Sequence, residues 1–361
     1  MSDNNDLSPG IYSAHYRPSI WLFAHSSMHS LAKKIEELCE KRKSSHVPKI
    51  DKGTIERRSV KFKNIIEWVP FDDGFPNLFI EEVKEMAGRD IIFLASFHDP
   101  AVIFEQLGVI YALPKYMARS LTVIVPYFPT GTMERVDREG QIATAKTLAN
   151  MLSSTPLSSR GPTQLLILDI HALQIRFYFG DSTIPRLETG IPLLTRELRK
   201  MKMEGQSCGK SYNFAIAFPD DGACKRFRGI FDDNFPLPII ICNKIREKDK
   251  KIVTIKEGDG KDADVIIVDD LVQSGGTLIE CAKVLKAKGA RSIRAYVTHA
   301  VFPKKSYEKF IGNRSGIEFD TFWITDTIPH ASEIAKNEPF KILSICDVIA
   351  DTLLGFDMLL A

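Results

Sequence analysis

Short apolar runs recur along the chain, each followed by a longer stretch in which apolar residues return every three or four positions. The runs are Ile20–Phe23, Ile91–Ser96, Leu121–Val125, Leu165–Leu168, Ala215–Phe218, Ile239–Cys242, Val265–Val268, Ile293–Val297 and Phe322–Ile324. Several are apolar throughout rather than alternating, as strands covered on both faces are. Between them, Ser27–Lys41 sets Leu31, Ile35 and Leu38 on one helical face behind a Ser26 or Ser27 cap. Thr277–Lys288 likewise sets Leu278, Cys281, Ala282 and Leu285 together before Gly289 stops the helix. Strand and helix in alternation predict an α/β protein with mostly parallel sheets flanked by helices. The rhythm is the same in both halves, and 361 residues suit two domains.

Two stretches depart from this rhythm. Residues 198–212 (LRKMKMEGQSCGKSY) predict a mobile connector. Residues 41–63 hold nine Lys or Arg against Asp51 and Glu56, a pattern open to two readings, a solvated insertion or an anion-binding patch. No aromatic residue interleaves with those charges before Phe62, which speaks against nucleic acid as the partner. The net charge of +2 gives no whole-molecule field for nucleic acid or a membrane surface. Six scattered cysteines without a Cys-x-x-Cys pair indicate neither a zinc site nor a disulfide framework, and fit a reducing compartment. The polar start MSDNNDLSPG is no secretory signal, and no apolar run is long enough to span a bilayer. The expectation is a soluble cytoplasmic protein.

The chemistry concentrates in residues 264–285, DVIIVDDLVQSGGTLIECAKVL. Asp269 and Asp270 follow a wholly apolar strand, at the end where open α/β sheets hold ligands. Gln273, Ser274, Gly275, Gly276 and Thr277 then turn into a helix. Glycines let the backbone approach a ligand, and successive N–H groups at a helix start make a phosphate nest. Carboxylates repel phosphate but accept hydrogen bonds from sugar hydroxyls or hold a cation. The pair and the loop together suit a sugar phosphate; a tight turn with an acidic rim is the plainer alternative.

Other strand ends carry charged groups. DIHALQ follows Leu165–Leu168, and the pairing of His171 with Asp169 raises a structural histidine to a candidate for cation or phosphate contact. FPDDG follows Ala215–Phe218, and Asp220 is either part of an acidic surface turn or a hard oxygen ligand of the kind magnesium takes. In ICNKIR, Lys244 and Arg246 alternate and so share a face. They suit either a solvated strand end or a transferring phosphoryl group, whose chemistry needs positioning and charge neutralisation.

These segments, in this order, resemble the phosphoribosyl pyrophosphate (PRPP) synthetases. The loop at 268–277 is similar to the ribose 5-phosphate loop of that family and of the phosphoribosyltransferases. DIHALQ and FPDDG are similar to its Asp-x-His-Ala-x-Gln and Ser-Pro-Asp-x-Gly segments. FDDGFPN at 71–77 resembles its Phe-x-Asp-Gly-Glu adenine segment, with Phe71, Asp73 and Gly74 matching and Phe75 standing where Glu is expected. VPYFPTGTMER at 125–135 keeps Pro126, Tyr127 and Arg135 of the family's nucleotide loop, but has Thr132 and Met133 in place of Arg and Gln. With DGFPNLFI, FLASF, AVIFEQ and YVTHAVFP, these departures resemble the plant-type class II enzymes, from about Ile20 to about Ile349.

The resemblance implies two phosphoribosyltransferase-like domains of the type I class. The first would span 1–183 on the ATP side, with the 41–63 insertion. The second would span 184–341 with the ribose 5-phosphate loop, and 342–361 would pack back on the first. It implies ribose-phosphate diphosphokinase activity, converting ATP and ribose 5-phosphate to PRPP and AMP for nucleotide biosynthesis. Lys244 and Arg246 would be catalytic. Phe71, Asp73, Arg135 and His171 would bind ATP, with Asp169, His171 and Asp220 organising Mg2+. A homo-oligomer would complete the adenine pocket across a subunit boundary, and class II membership would bring activity without inorganic phosphate. Two other readings share these motifs. A phosphoribosyltransferase has the 268–277 loop but no need of FDDGFPN or CNKIR. A non-catalytic regulatory subunit has the fold, but no need of intact Lys244, Arg246, His171 and Asp220.

Overall fold

A computed structural model describes residues 19–43, 49–50, 53–54, 58–247 and 250–354. Much of the basic stretch 41–63 therefore lies outside the described residues. Two sheets dominate. The first has six strands, all parallel, in the spatial order Thr183–Glu188, Thr163–Leu168, Ser120–Val125, Asp90–Leu94, Ile20–Ala24, Val60–Phe62. The second has seven, ordered Lys250–Glu257, Ile239–Glu247, Phe214–Phe218, Asp264–Val272, Ser292–Ala300, Thr321–Thr325, Phe340–Leu343. Its strands are parallel except for the hairpin formed by the first pair. Every apolar run picked out from the sequence falls in one of these strands, except that Ile91–Ser96 runs two residues past the end of Asp90–Leu94.

Each sheet is covered on both faces, which is why its central strands are buried at nearly every position. One face of the first sheet packs Trp21, Phe23, Phe93 and Val123 against the helix Pro100–Lys115 and the helix Thr144–Ser153. Its other face packs against the helix His29–Lys43 through Leu31, Ile35 and Cys39. That helix is preceded by a 3-10 turn, Ser26–Met28, with His25 rather than either serine at the N-cap. The stretch 198–212, expected to be a mobile connector, is instead largely helix, within Ile191–Ser207. Leu194, Leu198 and Met201 recur at helical spacing there and pack on the second sheet.

The expected division at 183/184 falls at the start of Thr183–Glu188, whose pairing with Thr163–Leu168 keeps that strand on the first sheet. The chain then returns at its far end. Asp326 accepts hydrogen bonds from Ser344 Oγ at 2.6 Å and Ile345 N at 2.8 Å, turning the backbone out of the second sheet. The following helix, Cys346–Thr352, lies on the first sheet beside His29–Lys43, with Val348, Ile349 and Leu353 in the shared core. Arg42 bonds to Asp347 and Asp351 across that helix pair. No helix among the described residues is long and apolar enough to cross a membrane.

The same clamp ties strand starts together in both sheets. In the first, Asp90 accepts from Arg119 Nε at 2.9 Å and Ser120 Oγ at 2.5 Å, and Arg119 N donates to the carbonyl of Arg89 at 2.8 Å. In the second, Asp264 accepts from Arg291 Nε at 3.1 Å and Ser292 Oγ at 2.6 Å, and Arg291 N donates to the carbonyl of Ala263 at 2.8 Å. Asp90 also takes the buried guanidinium of Arg58. Burial pushes the Asp90 carboxyl up, but the bonds from Arg119, Ser120 and Arg58 outweigh it and hold it well below the usual carboxylate range. A carboxyl that titrates lower folded than unfolded contributes stability above the unfolded pKa, lost as pH falls through the folded value. Asp90→Asn, which removes the buried carboxylate shared by Arg58 and Arg119, is expected to cost about 3–5 kcal/mol near neutral pH. The cost should shrink on acidification toward about pH 3. Urea unfolding at both pH values measures it, and an equal loss at the two would exclude the carboxylate charge as the cause.

Candidate active site

The carboxyl ends of the two sheets face one another across a cleft of about 760 Å³. From the second sheet, Asp264–Val272 carries Asp269 and Asp270 to the cleft, and the loop beyond it leads into the helix Gly276–Ala287. Gly275 at the head of that helix has φ +75°, and a Cβ there would lie 2.5 Å from the Phe310 ring, so only glycine fits. The loop is braced from outside, where Ser306 Oγ donates to the Gln273 carbonyl at 2.7 Å and Lys309 Nζ to the Ser274 carbonyl at 3.2 Å. These tethers spend carbonyl oxygens, which would repel a phosphate, on the protein side.

From the first sheet come His171, just past Thr163–Leu168, and the segment Thr132–Arg135. Gly131 lets that segment lie close, since a Cβ on it would sit 3.1 Å from the His171 Cβ. His171 Nδ1 lies 2.7 Å from Asp270 Oδ2 and joins the two sheets across the cleft. That bond raises the His171 pKa against the opposing effect of burial. Burial likewise works to raise Asp270, yet the bond and charge of His171 bring it below the ordinary aspartate value. Asp269 goes the other way, because burial and the neighbouring carboxylates of Asp270 and Asp220 push it well above the usual range.

Asp220 caps the helix Asp221–Asn234 by accepting from Ala223 N at 3.0 Å, and it lines the cleft. Among the described residues, no three His, Cys, Asp or Glu side chains form a metal cluster. Asp220, at the cleft, still fits a divalent cation that takes few protein ligands and completes its shell with water and substrate phosphates. A cation beside Asp220 would relieve repulsion that raises Asp269.

The cleft thus gathers Arg135, His171, Asp220, Asp269, Asp270 and the loop Gln273–Thr277. Three expectations fare differently. Asp169, expected at a metal, is fully buried behind the cleft and does not line it. Its Oδ2 accepts from Gly190 N at 2.8 Å and Thr298 Oγ1 at 2.6 Å, at the junction of the sheets. Phe71 and Asp73 sit on the tip of the hairpin Ile66–Pro70/Pro76–Ile80, outside the cleft of their own chain, where Asp73 Oδ1 accepts from Phe75 N at 3.0 Å. Lys244 and Arg246 pair by backbone with Val253 and Lys251 in the antiparallel hairpin, and their side chains lie outside the described residues. The sequence also gave no notice of Arg226 or Glu134, both at the cleft. Arg226 is six residues past Asp220, so only helical spacing from the FPDDG motif would have found it.

Comparison with known proteins agrees with this geometry. Residues 20–155 match the N-terminal domain of ribose phosphate pyrophosphokinase, and residues 233–331 match the phosphoribosyl transferase domain. Ribose-phosphate pyrophosphokinase 4 of Oryza sativa subsp. japonica is 54% identical over 292 residues, 80% of this chain and 87% of the rice protein. Ribose-phosphate pyrophosphokinase 3, chloroplastic, of Arabidopsis thaliana is 53% identical, over 80% of this chain and 69% of that protein. The crystal structure of phosphoribosylpyrophosphate synthetase from Mycobacterium smegmatis superposes with a TM-score of 0.73 at 20% identity, covering 93% of this chain and 98% of that one. Both domains of the family, matched in order, and a plant relative matched over most of its length establish that this chain belongs to the ribose-phosphate pyrophosphokinases.

Proposed function

We propose that the cleft between the sheets carries out the diphosphoryl transfer of this family, from Mg-ATP to the anomeric hydroxyl of ribose 5-phosphate, giving PRPP and AMP. One observation carries the assignment to this cleft: a carboxylate pair able to accept sugar hydroxyls sits beside a glycine loop at a helix start, with a histidine bonded to one of the pair facing both from the other sheet. The 5-phosphate is held by the N–H groups and hydroxyls of Ser274, Gly275, Gly276 and Thr277, with Gln273 at the mouth of the loop. Asp269 and Asp270 accept from the ribose hydroxyls and fix the anomeric oxygen for in-line attack.

His171 and Arg135 bind the ATP phosphates, with His171 held charged by Asp270. Asp220 is the residue that would hold magnesium, which when bound neutralises the phosphates and polarises the phosphorus under attack, while His171, protonated against Asp270, serves the phosphates rather than the metal. Lys244 and Arg246 stabilise charge on the transferring group and on the departing AMP oxygen. Phe71 and Asp73 read adenine in the cleft of a neighbouring copy. The exposure of Val69, Phe71, Phe75 and Phe79 on that hairpin supports a homo-oligomer. Phe75 and the Thr132–Met133 pair support looser base recognition and activity without inorganic phosphate, as in the class II enzymes. The cysteines described form no disulfide, and the compartment that suits reduced thiols is the cytoplasm.

Three measurements test these roles. Purified protein with magnesium, ATP and ribose 5-phosphate should form equal AMP and PRPP with or without inorganic phosphate. Activity only with phosphate would refute the class II reading, and no PRPP in either buffer would refute the reaction. Lys244→Ala should lower kcat by about 10²-fold or more, as loss of a transition-state donor does. An unchanged kcat would remove Lys244 from the mechanism. A histidine with a raised folded pKa stays charged through its ordinary range and loses its charge as pH rises through the raised value. The kcat profile should therefore fall on the alkaline side, and His171→Asn should abolish that limb. The substitution should also cost at least about tenfold, as the loss of a ~1.5–3 kcal/mol charge-assisted bond implies. A mutant with the same alkaline limb would assign it to another group.

A further inference from the structure

Arg226 has no part in the roles above, yet it stands where the two halves of the cleft meet. It lies on the helix Asp221–Asn234 of the second sheet and borders the cleft beside Asp220 and Asp270. Its side chain is only 12% exposed, and Nη2 is 3.6 Å from Asp169 Oδ1, too far for a good hydrogen bond. Nη1 is buried with no hydrogen-bond partner, and Asp169 Oδ1 is in the same condition. A guanidinium offers five donors in a rigid fork, and leaving one buried and unmet costs about 1–3 kcal/mol or more. Such a deficit persists in a native protein where a ligand meets it.

The Asp169 side of the pair is immobile. Its other oxygen is taken by Gly190 N and Thr298 Oγ1, and the carboxylate has no exposed surface. It therefore acts as a fixed post of negative charge behind the guanidinium, reaching from the first half of the chain to a helix of the second. The ligand is an anion, since every free valence on Arg226 is a donor. Two phosphates are available, and position separates them. The 5-phosphate nest lies at the start of the helix Gly276–Ala287, whereas Arg226 reaches toward Asp169, two residues before His171 at the junction of the sheets.

We propose that Arg226 is a catalytic residue whose Nη1 binds an oxygen of the diphosphoryl group during transfer, and that Asp169 is its positioning residue. This rests on the reading of the cleft given above. In the step served, the anomeric oxygen bonds to the β-phosphorus and the bond from that phosphorus to the α-bridging oxygen breaks. AMP departs with the electron pair, and the hydroxyl proton passes to solvent. Arg226 supplies charge and a directed donor where negative charge shifts. Asp169 holds the fork, and through it the relative position of the two sheets at this point.

The test uses the full chain as wild type, Arg226→Gln, Arg226→Lys and Asp169→Asn, measured for kcat and for KM of each substrate at saturating magnesium. Arg226→Gln should lose about 10²-fold or more in kcat, with the ribose 5-phosphate KM within about threefold of wild type, since its phosphate is held elsewhere. Arg226→Lys should recover part of the loss because it keeps the charge but not the fork. Asp169→Asn, which retains an acceptor for Gly190 and Thr298 while losing the charge, should lower kcat by about tenfold at unchanged ribose 5-phosphate KM. Calorimetric binding of ribose 5-phosphate shows that each variant is folded. A rise in its KM with kcat retained would make Arg226 a 5-phosphate ligand and overturn the proposal. So would a wild-type kcat in Arg226→Gln or, should that variant not fold, in Asp169→Asn. A wild-type protein that forms no PRPP would overturn the reading of the cleft and this inference together, which sets the two failures apart.

Discussion

The two sheets meet at their carboxyl ends through buried polar contacts, and the site exists only while those contacts hold. Asp169 accepts from Gly190 N and Thr298 Oγ1, Thr298 in turn receives Thr325 Oγ1 on its carbonyl at 2.6 Å, and His171 reaches Asp270. His299 Nε2 lies 3.2 Å from the Leu168 carbonyl and 3.3 Å from that of Asp169, so this nitrogen carries the ring proton and donates. Burial pushes the His299 pKa down and keeps the ring neutral. An apolar seam tolerates sliding, whereas a buried polar one is costly in any register that leaves a partner unmet. In-line transfer between substrates held on different sheets needs that kind of fixity, since small misplacements of reacting groups are expensive.

Both halves rest on one scaffold and use it differently. The Asp90 and Asp264 clamps sit at equivalent strand starts, each closed by an arginine and a serine from the start of the next strand. At the opposite ends the likeness stops. The second sheet carries the adjacent aspartates and the glycine loop, while the first supplies His171 and the Thr132–Arg135 segment that faces them. Scaffold residues answer to the sheet, and site residues answer to the ligand, so a repeated fold need not repeat its chemistry.

The same distinction explains what could be read from sequence. Central strands announced themselves because both faces are buried and most of their residues form an unbroken apolar run. Strands at or next to a sheet edge did not: Val60–Phe62, Thr183–Glu188 and Phe340–Leu343 each bury only part of their length and carry polar residues in between. Lys250–Glu257, rich in lysine, reads as a charged loop until its antiparallel partner is known. A contiguous motif stays together at the cleft, since Asp269 to Thr277 run without a break from the end of a strand into the start of a helix. Asp169 lies behind the cleft, because proximity to His171 in sequence says nothing of which side of the backbone faces it. Arg226 and Thr298 enter only through tertiary contact. One signal was present and uninterpreted: the tetrapeptide Ala-Arg-Ser-aliphatic at 118–121 and again at 290–293 marks the duplicated clamp.

The return of the helix Cys346–Thr352 to the first sheet gives the fold a direction in time. Ile20, Leu22, Leu31 and Ile35 share a core with Val348, Ile349 and Leu353. The residues between those two groups include the whole second sheet. During synthesis the first half leaves the ribosome with that apolar face only partly covered, and it stays so until almost the entire chain has followed. An early-made domain that waits for a late-made helix is exposed to misassembly and to chaperones for the whole of that interval. Completion of the first sheet thereby reports that the second, with its phosphate loop, has already been made.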